Sequence, residues 1–219
     1  MSLLLWVLLA WQTPIDEATL VVRADTGVIA REAFRLASVR HGAESSGWTL
    51  ASTIRYQQPT LVLAPILEVT ADSQPSSLEF DVADPRDPQR IRGMLSRGKF
   101  TVRFLGRRTE RAREFPASGR TAVLDDSVFA LYVLVAWHAG PQPVEIAGIV
   151  PRAGRRETLT IRDLGVAPTL VNGASKRLRH VTVSGGPNQV VDVWLDENAR
   201  LYKVEIPSRH IRAERLPPA

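Results

Sequence analysis

The sequence predicts a mainly β protein: a strongly curved antiparallel sheet, a half-barrel or open barrel of about a dozen strands, wrapped around one central apolar helix. Three observations carry this. Short apolar runs with period-two alternation, bounded by Gly, Pro, Asn and Asp, recur from residue 19 to residue 216. Strands and helices never alternate in the manner that builds a parallel sheet. One stretch alone, residues 125–141, carries a full helix signature. A sheet of so many strands cannot stay flat and open, and must curl, split or close around something.

The first element is an apolar run over residues 1–11, followed by Gln12, Thr13 and Pro14. It has the length of a signal-peptide core and is too short for a membrane span. No Lys or Arg precedes it and no small-x-small cleavage site follows, so an uncleaved interfacial anchor and a buried segment remain alternatives. The expected organisation is a leader over 1–14 and a single domain over 15–219, placed in the periplasm or secreted.

Residues 19–25 read as a strand, Thr26 and Gly27 as a turn, and residues 28–39 as a long strand whose alternation slips once between Ile29 and Phe34, the mark of a bulge. Trp48, Leu50, Ser52, Ile54 and Tyr56 then fall on one face of the next strand. Strands are expected at 61–70, 77–82, 91–95 and 100–105, and the meander continues over 110–115.

The helix is expected over 125–138. Asp125 and Asp126 suit its positive end, and Gly140 and Pro141 stop it. Every residue from Val128 to Trp137 is apolar or aromatic, so no face suits water. At ~1.5 Å per residue the element is about 20 Å long, too short for a bilayer core of about 30 Å. Beyond it, 144–150 and 158–162 form a hairpin, and 168–175 is a looser connection. In the hairpin of 190–195 and 201–206, pairing Trp194 with Leu201 sets Asp192 opposite Lys203 and Val191 opposite Val204. A last strand covers 210–216.

Absence of cysteine excludes disulfides, thiolate catalysis, Cys-type zinc sites and acyl-anchored lipoprotein processing. The net charge is +5, and of 28 basic residues only Lys99, Lys176 and Lys203 are lysine. The arginines are spread along alternating strands, which argues for a solvated face over a nucleic-acid surface.

Residues 27–34 after the first strand, the helix start 125–132, and the closing ladder from Val193 to Pro207 together resemble uncharacterised bacterial envelope and periplasmic proteins. Their expected shape is similar to the half-barrel of the outer-membrane lipoprotein carriers. The resemblance implies an exported binding or carrier protein for an apolar ligand and brings no catalytic residues.

Candidate cavity-lining residues are Trp48, Tyr56, Phe129, Tyr132, Val133, Trp137 and Trp194, since ligand pockets are lined by apolar and aromatic side chains; the plain alternative is that they fill the core. His41, His138, His180 and His210 lack ligand spacing, so no metal is expected. No Gly-x-Ser-x-Gly elbow, Ser-x-x-Lys pair or phosphate-binding glycine loop occurs, so no catalytic residue and no cofactor are expected. The functional expectation is an exported, non-enzymatic protein that binds or carries a lipid-like apolar ligand between sheet and helix. The alternative is an envelope interaction or scaffold module whose basic sheet face holds a protein or an anionic polymer.

Overall fold

The computed structural model describes residues 12–25, 27–41, 44–107, 110–186 and 188–217. Its strands are β1 (Gln12–Ala24), β2 (Gly27–His41), β3 (Glu44–Tyr56), β4 (Leu61–Thr70), β5 (Pro75–Ala83), β6 (Gln89–Ser96), β7 (Lys99–Gly106), β8 (Glu110–Pro116) and β9 (Thr121–Val123), followed after α1 (Tyr132–Ala136) by β10 (Val144–Val150), β11 (Arg155–Val171), β12 (Ala174–Ser184), β13 (Val190–Leu195), β14 (Leu201–Ile206) and β15 (Ile211–Arg215). All fifteen lie in one sheet, in the order β8-β7-β6-β5-β4-β3-β2-β1-β15-β14-β13-β12-β11-β10-β9. Two meanders are joined where β1 pairs with β15 through Leu20 and Arg215. Every pairing is antiparallel except that of β9 with β10.

The two edges, β8 and β9, are neighbours in sequence, joined by residues 117–120 alone. At about 3.6 Å per residue so short a link cannot bridge the width of a flat sheet, so the sheet curls until its ends approach. Arg113 of β8 donates to the carbonyl of Gly154 in the β10–β11 turn, and the Gln74 amide oxygen accepts from the Thr121 backbone N–H at 3.1 Å. Among the described residues no ladder joins β8 to β9, so the sheet stays open.

Alternation decides what the curl encloses. Leu63 and Leu67 of β4, Leu78 and Phe80 of β5, Ile91 of β6, and Phe100 and Val102 of β7 all point inward and are buried. Leu50, Ser52 and Ile54 do the same on β3, on the face the sequence predicts. Gly93 leaves room for a ring: a Cβ there would meet Phe100 at 2.5 Å.

The central element differs from its expected form. It is not a helix over 125–138 wrapped by the sheet: only Tyr132–Ala136 is helical, Asp125 and Val128 form an isolated bridge, and turns fill the rest. The physical reason lies in who satisfies the backbone. The Asp125 carboxylate accepts from the Ser127 N–H at 2.9 Å, two residues on, closing a side-chain turn that competes with a helical one. The Glu32 carboxylate of β2 takes the N–H groups of Phe129 and Ala130 at 2.9 and 3.0 Å. With its donors met by side chains, the segment needs no long helix to be buried, and Val128 to Ala136 are each at most 3% exposed.

Two further expectations are corrected. The β13–β14 register is shifted by two: Trp194 faces Lys203, Asp192 faces Glu205 and Val193 faces Val204. Asp196 closes a wider turn by accepting from the N–H groups of Asn198 and Arg200, both at 2.9 Å, and a bulge beside Leu195 absorbs the odd residue. The shift of two leaves each side chain on its face. Residues 168–175 are not a loose connection but the tip of the β11–β12 hairpin, which brings the sheet to more strands than the sequence predicts. Among the described residues β11 has no ladder partner on its β10 side beyond Ile161, so Pro168 lies on a strand segment with a free edge, where proline is tolerated.

The expected leader meets the sheet at its end: Gln12, Thr13 and Pro14 pair with Val39, Ser38 and Ala37, while residues 1–11 lie outside the described residues. Among the described residues no helix is long and apolar enough to cross a membrane.

Candidate functional site

Six of the seven expected lining residues lie on the inner side of the sheet. Phe129, Tyr132 and Val133 are 1%, 1% and 0% exposed. A side chain on the wall of a ligand-sized hollow keeps accessible surface even when sealed from bulk water, so these three touch protein on every side. The Tyr56 hydroxyl donates to the Ser127 carbonyl at 2.8 Å, and the Tyr132 hydroxyl accepts from the Asn188 amide at 3.1 Å. Trp48 and Trp137 meet edge to face, centroids 5.5 Å apart. Trp194 stands apart from them. Val193 and Leu195 take the core, so alternation sends Trp194 to the solvent face, where it stacks on His180 at 4.7 Å beneath the Lys203 ammonium at 4.6 Å. Val171 and Leu178 of the β11–β12 hairpin cover it, with Tyr202 packed alongside.

The polar centre of the interior is a set of carboxylates that hold the central segment. Glu32 is fully buried; besides the two backbone donors, it accepts from the Ser52 hydroxyl at 2.6 Å. Burial pushes its carboxyl up to about 7, against the pull of those three donors. Asp125, also buried, is gripped by Arg152, whose Nε and Nη2 reach its two oxygens at 3.0 and 2.9 Å. Burial carries Asp125 up to about 6 in spite of that guanidinium. Asp126 accepts from the same Arg152; desolvation, the largest single influence, pushes its carboxyl up, but the Arg152 charge, hydrogen bonds with Asp125 and Ser127 and the Arg209 charge together hold it below the ordinary range. Asp125 and Asp126, expected as helix caps, are instead an ion-paired clasp between the segment and the β10–β11 turn. Glu32 was legible in principle: it occupies the inward parity of β2, between Ala30 and Phe34, where a charge demands a partner.

Glu32 has no exposed surface and Asp125 is 1% exposed, whereas the Asp126 side chain reaches solvent. Among the described residues no group of His, Asp and Glu is placed to hold a metal ion.

The solvent face of β1 to β5 offers a concavity of about 490 Å³, lined in part by Glu17, Thr19, Ala33, Arg35, Ala64 and Asp81. The ladders arrange it in rows. Thr19 lies opposite Ala33 and Ala33 opposite Thr53. Ala51 faces Ile66 and Ile54 faces Leu63, which sets Thr53 beside Ala64. This row of small side chains is a lane across the strands. On one side stand Arg35 and Ile66, the latter 45% exposed. On the other, Arg31 lies directly opposite Arg55. All three arginines are exposed, and among the described residues no carboxylate comes within 4.0 Å of any of them.

No known family profile matches the sequence, and no curated protein matches it. A solved structure does: the chain is similar to a β-barrel-like protein of the domain of unknown function DUF1849 from Brucella abortus, with a TM-score of 0.57 and 14% identity over 91% of this chain and 94% of that one. The likeness is one of fold, a β-barrel-like architecture of unassigned function.

Proposed function

We propose that this chain is a non-enzymatic binding module of the bacterial envelope that holds an anionic partner against the arginine-bearing solvent face of β1 to β3. The observation that carries the reading is the cross-strand pair Arg31 and Arg55, two like charges set opposite each other with no carboxylate among the described residues within ion-pair distance of either. Such a pair opposes folding, so a partner anion is the natural complement. The filled interior around Phe129, Tyr132 and Val133 supports placing the site outside the sheet. The sealing of Glu32 and Asp125 from solvent supports a role without catalysis. The apolar run before Gln12 supports export.

Retention on immobilised dextran sulfate tests this. The protein is expected to bind at low ionic strength, to elute as salt screens the guanidiniums, and to lose retention on R31Q/R55Q substitution. Equal retention of the double variant would remove the proposal. A second reading, carriage of a lipid-like apolar molecule, draws support from the lane of Ala33, Ala51 and Ala64, and mass spectrometry of a solvent extract of the purified protein tests it.

A further inference from the structure

The concavity and the arginine pair sit side by side, and their chemistry is complementary in one molecule. A cross-strand pair holds its Cβ atoms about 4.5–5.5 Å apart, so the guanidiniums of Arg31 and Arg55 can close on a single anion from two sides. Each presents a planar fork of donors suited to a multi-oxygen acceptor such as a phosphate. Beside them the floor is Thr19, Ala33, Thr53 and Ala64, whose short side chains leave the lane open. The lane runs from β1 to β4 and on to Asp81 of β5. Five strands at ~4.8 Å spacing make it about 19 Å long. The arginine pair stands beside β2 and β3, so roughly 12 Å of the lane lies between it and β5, most of the roughly 15 Å that one acyl chain spans in half of a hydrocarbon core. A volume of about 490 Å³ is within the range of sites that take a single small ligand.

The charges around the lane favour an anion. Asp81 is already paired with Arg90 at 2.6 Å, and Glu17 faces Arg35 across the ladder, which leaves Arg31 and Arg55 uncompensated. We infer that this face holds an anionic phospholipid, its phosphodiester between the Arg31 and Arg55 guanidiniums and one acyl chain in the lane floored by Thr19, Ala33, Thr53 and Ala64. The inference rests on the reading of the arginine face as the binding surface and names its ligand class.

Flotation of the full chain with lipid vesicles tests it. Vesicles of phosphatidylcholine alone are compared with vesicles in which about one lipid in three is phosphatidylglycerol. The protein is expected to float with the anionic vesicles only, and R31Q and R55Q are each expected to weaken this about fivefold. A33W fills the lane and leaves every charge in place, and is expected to abolish flotation; A64L serves the same purpose should A33W fail to fold. Soluble glycerophosphate, the headgroup without chains, is expected to compete only at concentrations far above that of the lipid. Equal flotation with neutral vesicles, flotation unaffected by A33W and A64L, or competition by glycerophosphate or inorganic phosphate at the concentration of the lipid would each overturn the inference. Retention on dextran sulfate separates the two failures: a protein that binds the polymer through Arg31 and Arg55 but ignores anionic vesicles keeps the proposed function and loses the lipid, whereas one that binds neither loses both.

Discussion

At the scale of single residues, Glu32 sets the terms on which the central segment is held. Its carboxyl titrates at about 7 when folded and near 4.5 when unfolded. The folded protein therefore binds a proton that the unfolded chain releases, and the stability this adds is fully present below pH 4.5 and is lost as pH rises through 7. At about 1.4 kcal/mol per pKa unit the difference is about 3 kcal/mol. The neutral acid keeps a partner, because the Ser52 hydroxyl at 2.6 Å can turn from donor to acceptor. His138, whose pKa burial lowers, acts in the opposite sense, its contribution fading as pH falls. The difference between wild type and E32Q cancels it. Urea denaturation at pH 5 and at pH 8 is expected to show the E32Q variant without the loss between these values that wild type suffers at Glu32, with the smaller slope from Asp125, at about 6, remaining. E32L goes further and strands the Phe129 and Ala130 N–H groups, at a cost of about 3 kcal/mol or more at pH 5. R152M leaves Asp125 buried without its guanidinium and is expected to cost about 3–5 kcal/mol, read from the same denaturation curves.

At the scale of elements, the chain shows which signals survive without knowledge of partners. The strands from β2 to β7 were legible because a buried face and a wet face impose period two, and the slip near Ile29 appears where the β1–β2 register shifts between Val22 and Arg23. The burial of Val128 to Ala136 was legible from composition; its conformation was not, because the donors that replace helical bonding come from Glu32, nearly a hundred residues earlier. The β11–β12 hairpin was hidden for a related reason. Leu164, Val166 and Leu170 are 55–60% exposed, so the core-facing alternation that marks a strand is missing there. What holds that hairpin is the opposite side, Val171 and Leu178 packed on Trp194, with the Asn172 amide donating to the Arg215 carbonyl at 2.6 Å. W194A is expected to release the hairpin without unfolding the core. Hydrogen exchange checks this: amides of residues 166–178 lose protection, while those of β4 to β7 keep theirs. Of the candidate site, the aromatic residues that fill the interior could be named from composition, but the lane and the arginine pair could not. They need the β2–β3 register, and that register is fixed by a bulge beside Val39 and Arg40 as well as by hydrophobic parity.

At the scale of the whole molecule, one open sheet of fifteen strands encloses a core that its own central segment completes, and similarity at 14% identity to another β-barrel-like protein indicates that this architecture tolerates wide changes of side chain. Tolerance of that kind sharpens the meaning of a feature that costs stability. Arg31 opposite Arg55 places two positive charges on neighbouring strands of a chain whose net charge is +5 with them included. Like charges directly opposite on a sheet oppose folding by about 0.2–1 kcal/mol. If the pair serves only the fold, through the packing of its aliphatic stems, then R31Q/R55Q lowers stability at every ionic strength. If it serves an anion, removing it raises stability by a few tenths of a kcal/mol up to about 1 kcal/mol, and the gain shrinks as salt screens the repulsion over a Debye length of about 10 Å at 0.1 M. The expected result is the second: a slightly higher melting temperature for the double variant at low salt, convergence with wild type at high salt, and retention on dextran sulfate lost throughout. Thermal denaturation across a salt series distinguishes the two, because only repulsion between the guanidiniums gives a stability difference that salt removes.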